Sequence, residues 1–213
     1  RYDIYQSLLN YWKNTMQDDV YQIADDGWKV VLSMDEKKKT WDCDLLPKYL
    51  AINKFFQTEQ KHIEKLEADR ESIKQGITEL EDEHAGEDGL LAEAKNDKDK
   101  ITKASVQKRM KEIKGDNDYT DELELLEKYL KLSDSEAVLG KQIKDYETDL
   151  DKKLAAKYKT LTPEEIKGLV VDDKWMTTIE KDIKTEVERI SQRLSQRIKE
   201  LAERYESTLS DIS

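Results

Sequence analysis

Only two prolines and seven glycines interrupt the 213 residues, while 40% of the side chains are charged and 37% are hydrophobic. Few breakers combined with this much charge favour long helices with narrow apolar stripes over a sphere with one thick core. The expected class is therefore mainly α: a long antiparallel coiled-coil hairpin and a long C-terminal helix. A small aromatic-rich N-terminal subdomain with a short β-hairpin completes it. Three segments are expected: residues 1–50, residues 51–160 and residues 161–213.

The first fifty residues hold three of the four tryptophans, Trp12, Trp28 and Trp41. Asp3 can cap a helix with the apolar face Ile4, Leu8, Tyr11, Trp12 and Met16. A second short helix near Asp19–Ile23 should end at the turn signal Asp25-Asp26-Gly27. Trp28–Leu32 and Trp41–Leu45 read as extended runs joined by the polar Asp35–Thr40 loop. So small a unit cannot bury enough surface alone, so it should pack on the helices that follow or on an upstream domain.

From Ile52 the apolar spacing alternates between three and four. Ile52, Phe56, Ile63, Leu66, Ile73, Ile77 and Leu80 share a seam with Glu59, Arg70 and His84. Ala85–Gly89 should end that helix. A second helix of matching length is expected from about Thr120 to Tyr158, with a seam that shifts phase near Ala137–Gly140. Antiparallel pairing is the simplest arrangement, with residues 85–118 at the tip. Thr162, Pro163 and Glu165 form a capping-box start. That helix should stop near Gly168, and Asp172 or Asp173 should cap the last one. Ile179, Ile183, Val187, Ile190, Leu194, Ile198, Leu201, Tyr205 and Leu209 give the last helix a broad apolar face, expected to be buried.

Signals for catalysis are nearly absent. Cys43 is the only cysteine, which excludes an internal disulfide and a thiolate-rich zinc site. His62 and His84 have no ligand partners at metal spacing. No glycine pair has phosphate-loop spacing, and no serine sits in a nucleophile elbow. Asp116, Asp118, Thr120 and Glu127 approach a calcium-loop spacing, but Asp121 stands where that loop needs glycine. These residues read instead as an acidic helix start. No membrane span or signal peptide is visible. The reducing usage of cysteine and a net charge of −11 suggest a cytoplasmic protein whose surface repels phosphate backbones. A helix-forming start at Arg1 suggests a cut inside a longer protein.

Two features favour interaction. Residues 95–114 hold eight basic and three acidic side chains, a local +5. Val106, Met110 and Ile113 give this stretch an amphipathic helix. Lys103, Lys108, Arg109 and Lys111 are candidates for DNA phosphates or an acidic partner, against packing on the acidic hairpin. The last helix repeats a tetrad that ranks Ile190, Leu194 and Ile198 in one ridge and Arg189, Arg193 and Arg197 in another. Ser191 and Ser195 are small enough for close approach of a second helix. These ridges are the candidate partner interface.

Several runs are more specific than any short motif: Asp3-Ile4-Tyr5-Gln6, Leu9-Asn10-Tyr11-Trp12 and Thr15-Met16-Gln17-Asp18-Asp19-Val20-Tyr21. Asp26-Gly27-Trp28, Trp41 to Lys48, Glu83-His84 and Gly86 to Leu91 join them, as do Ala94 to Lys98 and Lys111 to Asp116, then Leu169 to Trp175 and Arg197 to Tyr205. Together, along essentially the whole chain, these runs resemble the C-terminal region of the modification subunits of type I restriction-modification systems. The Ser33–Thr40 connection departs from it by being short. The resemblance implies that the full protein is an S-adenosylmethionine-dependent adenine-N6 DNA methyltransferase whose catalytic and cofactor motifs lie upstream. With Pro47 and Pro163 as its only prolines, this sequence has no Pro-Pro pair, so no catalytic residue and no cofactor carries over to it. The implied partners are a specificity subunit, a second modification subunit, restriction subunits, and DNA through the assembled complex. The leading expectation is a non-catalytic helical region that docks on the specificity subunit. The alternatives are a self-associating coiled coil and a DNA-backbone contact through Lys95–Lys114.

Overall fold

A computed structural model describes residues 2–35, 40–86, 89–96, 100–114 and 116–206. Most of the Asp35–Thr40 loop, Glu87 and Asp88 of the hairpin turn, Lys98, Gly115 and Leu209 therefore lie outside the described residues. The protein is mainly α-helical with one small antiparallel sheet. It divides into two compact units, residues 1–51 with 156–213, and residues 52–155.

In the first unit, α1 (Tyr2–Thr15) and α2 (Gln17–Asp26) follow one another directly. Asp3 falls inside the first turn of α1 rather than ahead of it, where its charge still suits the helix dipole. Gly27 ends α2 at φ +74°, a left-handed backbone that glycine adopts at no steric cost. β1 (Ser33–Asp35) pairs with β2 (Thr40–Asp42) in the register Ser33 to Asp42, Met34 to Trp41 and Asp35 to Thr40. The first strand thus starts just beyond the Trp28–Leu32 run that the sequence favoured. After β2, Cys43, Leu45 and Leu46 enter the core, before α3 (Lys48–Phe55).

The end of the chain folds onto this beginning, within the same unit. α7 (Pro163–Gly168) carries the expected capping box: Glu165 N–H donates to Thr162 Oγ1 at 3.2 Å, and Thr162 N–H donates to Glu165 Oε2 at 2.8 Å. The carboxyl of Glu165 is held below its usual range by that backbone hydrogen bond first and by Lys157 second. A stop at Gly168 with a fresh cap at Asp172 or Asp173 does not occur. Gly168 stays right-handed, and the chain continues through a wide π-type run, Leu169–Met176, straight into α8 (Thr177–Glu206). Leu169 and Val170 are buried there, and burying them outweighs the local preference of an Asp pair for a cap.

The second unit is an antiparallel helical hairpin. Its arms are α4 (Gln57–His84) and α6 (Thr120–Tyr158), the latter with the bounds expected. Glu59 meets Lys153, His62 stacks edge-on against Tyr146, Arg70 pairs with Glu136, and Tyr129 donates to Glu81. One arm's numbers rise as the other's fall, which is the antiparallel register. Ile63, Ile143 and Leu150 form one core cluster with Phe56 and Leu66. Near the phase shift the seam turns polar. Arg70 crosses the helix at Gly140, where an added Cβ would lie 3.3 Å from its guanidinium, and reaches Glu136 at 2.6 Å.

The hairpin tip carries α5 (Lys103–Glu112), capped reciprocally by Thr102 and Ser105. Its apolar face is occupied. Val106 and Ile113 are buried with Leu91, Ala94, Leu126 and Tyr129, and Met110 packs against them. Tyr129 and Tyr158, one in each unit, are held neutral well above the ordinary phenol value, first by burial. The hydrogen bond to Glu81 adds to this for Tyr129, and the charges of Cys43 and Asp42 add to it for Tyr158. Tyr158 also donates to the Leu46 carbonyl at 2.7 Å.

Because both folded-state values are raised above 10.0, their contribution to stability is full below pH 10. It is lost as pH rises beyond that toward the folded values. An alkaline absorbance titration measures this directly. Tyr129 and Tyr158 should ionise only as the chain unfolds. A single transition for all ten tyrosines would contradict this burial.

Candidate interface

α8 is anchored at its start and bare along its length. The anchor is Asp19, buried on α2. Its Oδ1 accepts from Lys174 Nζ at 2.8 Å, and its Oδ2 accepts from Trp175 Nε1 at 2.8 Å. The ammonium of Lys174 also donates to the carbonyls of Asp44 at 3.0 Å and Leu45 at 3.1 Å. Both carboxylate oxygens are used, and all three ammonium protons have an acceptor. One cluster thereby ties α2, the segment before α3 and the run into α8 together.

Beyond this anchor the apolar stripe of α8 meets water. Ile183, Val187, Ile190, Leu194 and Ile198 are between 54% and 61% exposed. The expectation that this face is buried is not met within the chain: among the described residues nothing packs over it. The physical reason is simple. Within its own unit, α2 and the segment before α3 hold only the run into α8, and α1 lies along the flank of its first half rather than over the stripe.

The stripe has a finer periodicity than a mean spacing conveys. Its steps run four, four, three and repeat, so Ile179, Ile190 and Leu201 stand eleven apart, as do Ile183, Leu194 and Tyr205. Eleven residues in three turns is close to the pitch of a straight helix, so the stripe stays on one side for about 40 Å. One flank carries Asp182 and Glu186, then Arg193, Arg197 and Arg204. The other carries Glu180 and Lys184, then Ser191, Ser195 and Ala202.

α1 lies beside the first half of α8. Tyr11 donates to Asp182 Oδ2 at 2.8 Å. Partial desolvation first, and then Asp182, raise its phenol above the ordinary value. Ile4, Ser7, Leu8 and Glu186 line the groove between the two helices. Ile4 and Leu8 are themselves exposed, so the apolar surface runs from α1 across to α8. Sequence reasoning assigned α1 an apolar face but not its place beside α8; the end of α1 at Thr15 and the start of α8 at Thr177 are 162 positions apart, and no local pattern links them.

The candidate residues sort cleanly. Ile190, Leu194 and Ile198 form the exposed ridge. Arg189 is engaged by Glu186 and Arg197 by Glu200, both one turn away on the helix surface, with Arg193 between them. In the hairpin tip, Arg109 is not a free cation. Its guanidinium forks onto the buried Glu122 at 2.7 and 3.2 Å and lies over the Tyr119 ring. Lys103 pairs with Asp134. Lys108, 3.9 Å from Glu112, and Lys111 stay exposed. Two of the four proposed phosphate contacts thus face α6 instead. His84 lies beside Glu83. Asp116 accepts from the Asp118 N–H, the role of a helix-start cap. Among the described residues no cluster of three metal-binding side chains occurs, and no helix is long and apolar enough to cross a membrane. Set against protein-family models, curated proteins and solved structures, the chain matches none.

Proposed function

We propose that this chain is a helical assembly module, the C-terminal region of a type I modification subunit, and that α8 docks on helices of the specificity subunit. The observation that carries the reading is the bare stripe of α8. A row of half-exposed Ile, Val and Leu side chains this long is a liability in a free protein and an asset in an assembly. In this reading the S-adenosylmethionine-dependent methylation of adenine belongs to a part of the subunit outside this sequence. The module itself is non-catalytic and cytoplasmic. It holds the methyltransferase on DNA within a complex that also contains a second modification subunit and restriction subunits. The sequence runs quoted above and the fixed base of α8 support this. DNA contact through the hairpin tip is the weaker reading, because Arg109 and Lys103 are already paired with carboxylates.

Hydrogen exchange with and without purified specificity subunit tests the proposal. Binding should slow amide exchange along residues 183–205 and in α1, with α4 and α6 unchanged. Unaltered exchange in α8 at saturating specificity subunit would overturn it.

A further inference from the structure

α8 bears a flank that selects what can lie on it. We infer that its occupant is a helix of another chain whose own apolar residues follow the same eleven-residue repeat, and which carries carboxylates along the edge that meets Arg193, Arg197 and Arg204. The inference rests on the reading of α8 as a docking helix and adds the chemistry of its partner.

The repeat comes first. A partner with heptad spacing would supercoil left-handedly and drift off a nearly straight stripe, so a matching repeat is required over this length. Charge decides next between a second copy and a different chain. The apolar spacing from Ile183 to Tyr205 reads the same in both directions about Leu194. Hydrophobic matching alone would therefore allow two copies to pair antiparallel. That pairing sets like flanks together, and Arg193 of each copy would fall beside Arg197 of the other. Parallel pairing sets the arginine flank against Ser191, Ser195 and Ala202, which offer no carboxylate. Antiparallel pairing thus clusters Arg193 and Arg197 at its centre and brings only Arg204 near Asp182 and Glu186 of the other copy, and parallel pairing gives Arg193 and Arg197 no carboxylate from the second copy. Glutamates or aspartates on a foreign helix reach both with forked geometry, over the exposed and weak Arg197–Glu200 contact. The acidic half of the same flank, Asp182 and Glu186, is already beside α1. The small residues on the opposite flank let the foreign backbone come close.

The test uses the full chain and two synthetic helical peptides of the length of α8. Both carry Ile and Leu in the four-four-three pattern; one has glutamates and the other lysines along the edge facing the arginines. Fluorescence anisotropy should show the glutamate peptide binding about tenfold tighter or better, with the gap narrowing at about 0.5 M salt. R193E/R197E should reverse the preference; both side chains are exposed, so the fold is retained. The single change Arg193→Glu should convert the antiparallel self-pairing from repulsive to complementary, and sedimentation should detect a dimer that the wild type lacks. Equal binding of the two peptides would overturn the inference, as would a wild-type dimer broken by Leu194→Asp. Loss of the docking reading itself shows differently: the specificity subunit would then leave α8 exchange unchanged whatever the flank charge.

Discussion

Asp19→Ala should lower the stability of the first unit by about 3–5 kcal/mol, the range for removing one partner of a buried ion pair. The cost comes from what remains. Lys174 would keep its charge among the Asp44 and Leu45 carbonyls with no counter-ion, and the Trp175 indole N–H would lose its acceptor. The pair is well shielded, with side chains 17% and 10% exposed, so water cannot easily take the place of the carboxylate. For a unit of roughly 100 residues this is a Tm decrease on the order of 10 °C or more. Asp19→Asn should fall between, since the amide oxygen can still accept one of the two bonds. Urea or thermal unfolding read through tryptophan fluorescence measures it directly. A change within about 0.5 kcal/mol, typical of a surface site, would mean that the cluster does not hold α8 in place.

That cluster also shows where sequence reasoning stops. Asp19 and Trp175 stand 156 residues apart, and no local pattern links them. What was legible followed from short-range physics. The Thr162 and Glu165 capping box, the α6 bounds, the Gly27 stop and the amphipathic tip helix each depend on residues within a turn or two. The hairpin was legible because two successive helices with apolar seams have one economical pairing, although the expected match in length does not hold: α4 has 28 residues and α6 has 39. The continuous run from α7 into α8 was not. Gly168 and the Asp172-Asp173 pair resemble a stop and a start, and only the burial of Leu169 and Val170 overrides them. The candidate site divides in the same way. The ridge of Ile190, Leu194 and Ile198 was visible as a pattern, but a pattern does not reveal whether its cover belongs to the same chain. Arg109 was visible as a cation; its engagement with Glu122 depends on how α5 packs on α6.

The exposed ridge leads to the second large effect. Leu194 stands at the middle of the stripe and is 61% exposed, so an aspartate there costs the isolated chain little. In an assembled interface the same aspartate removes an apolar anchor and buries a carboxylate with no partner. Central interface positions of this kind are worth about 2–4 kcal/mol, roughly 30-fold to 1,000-fold in Kd. Helicity and Tm of the free chain should be unchanged, which separates a binding defect from a folding defect.

The decisive measurement is co-elution of wild-type and Leu194→Asp chains with purified specificity subunit in size-exclusion chromatography at micromolar concentration. The account predicts a stable complex for the wild type and separate peaks for Leu194→Asp at unchanged helicity. A complex that survives Leu194→Asp intact would contradict it.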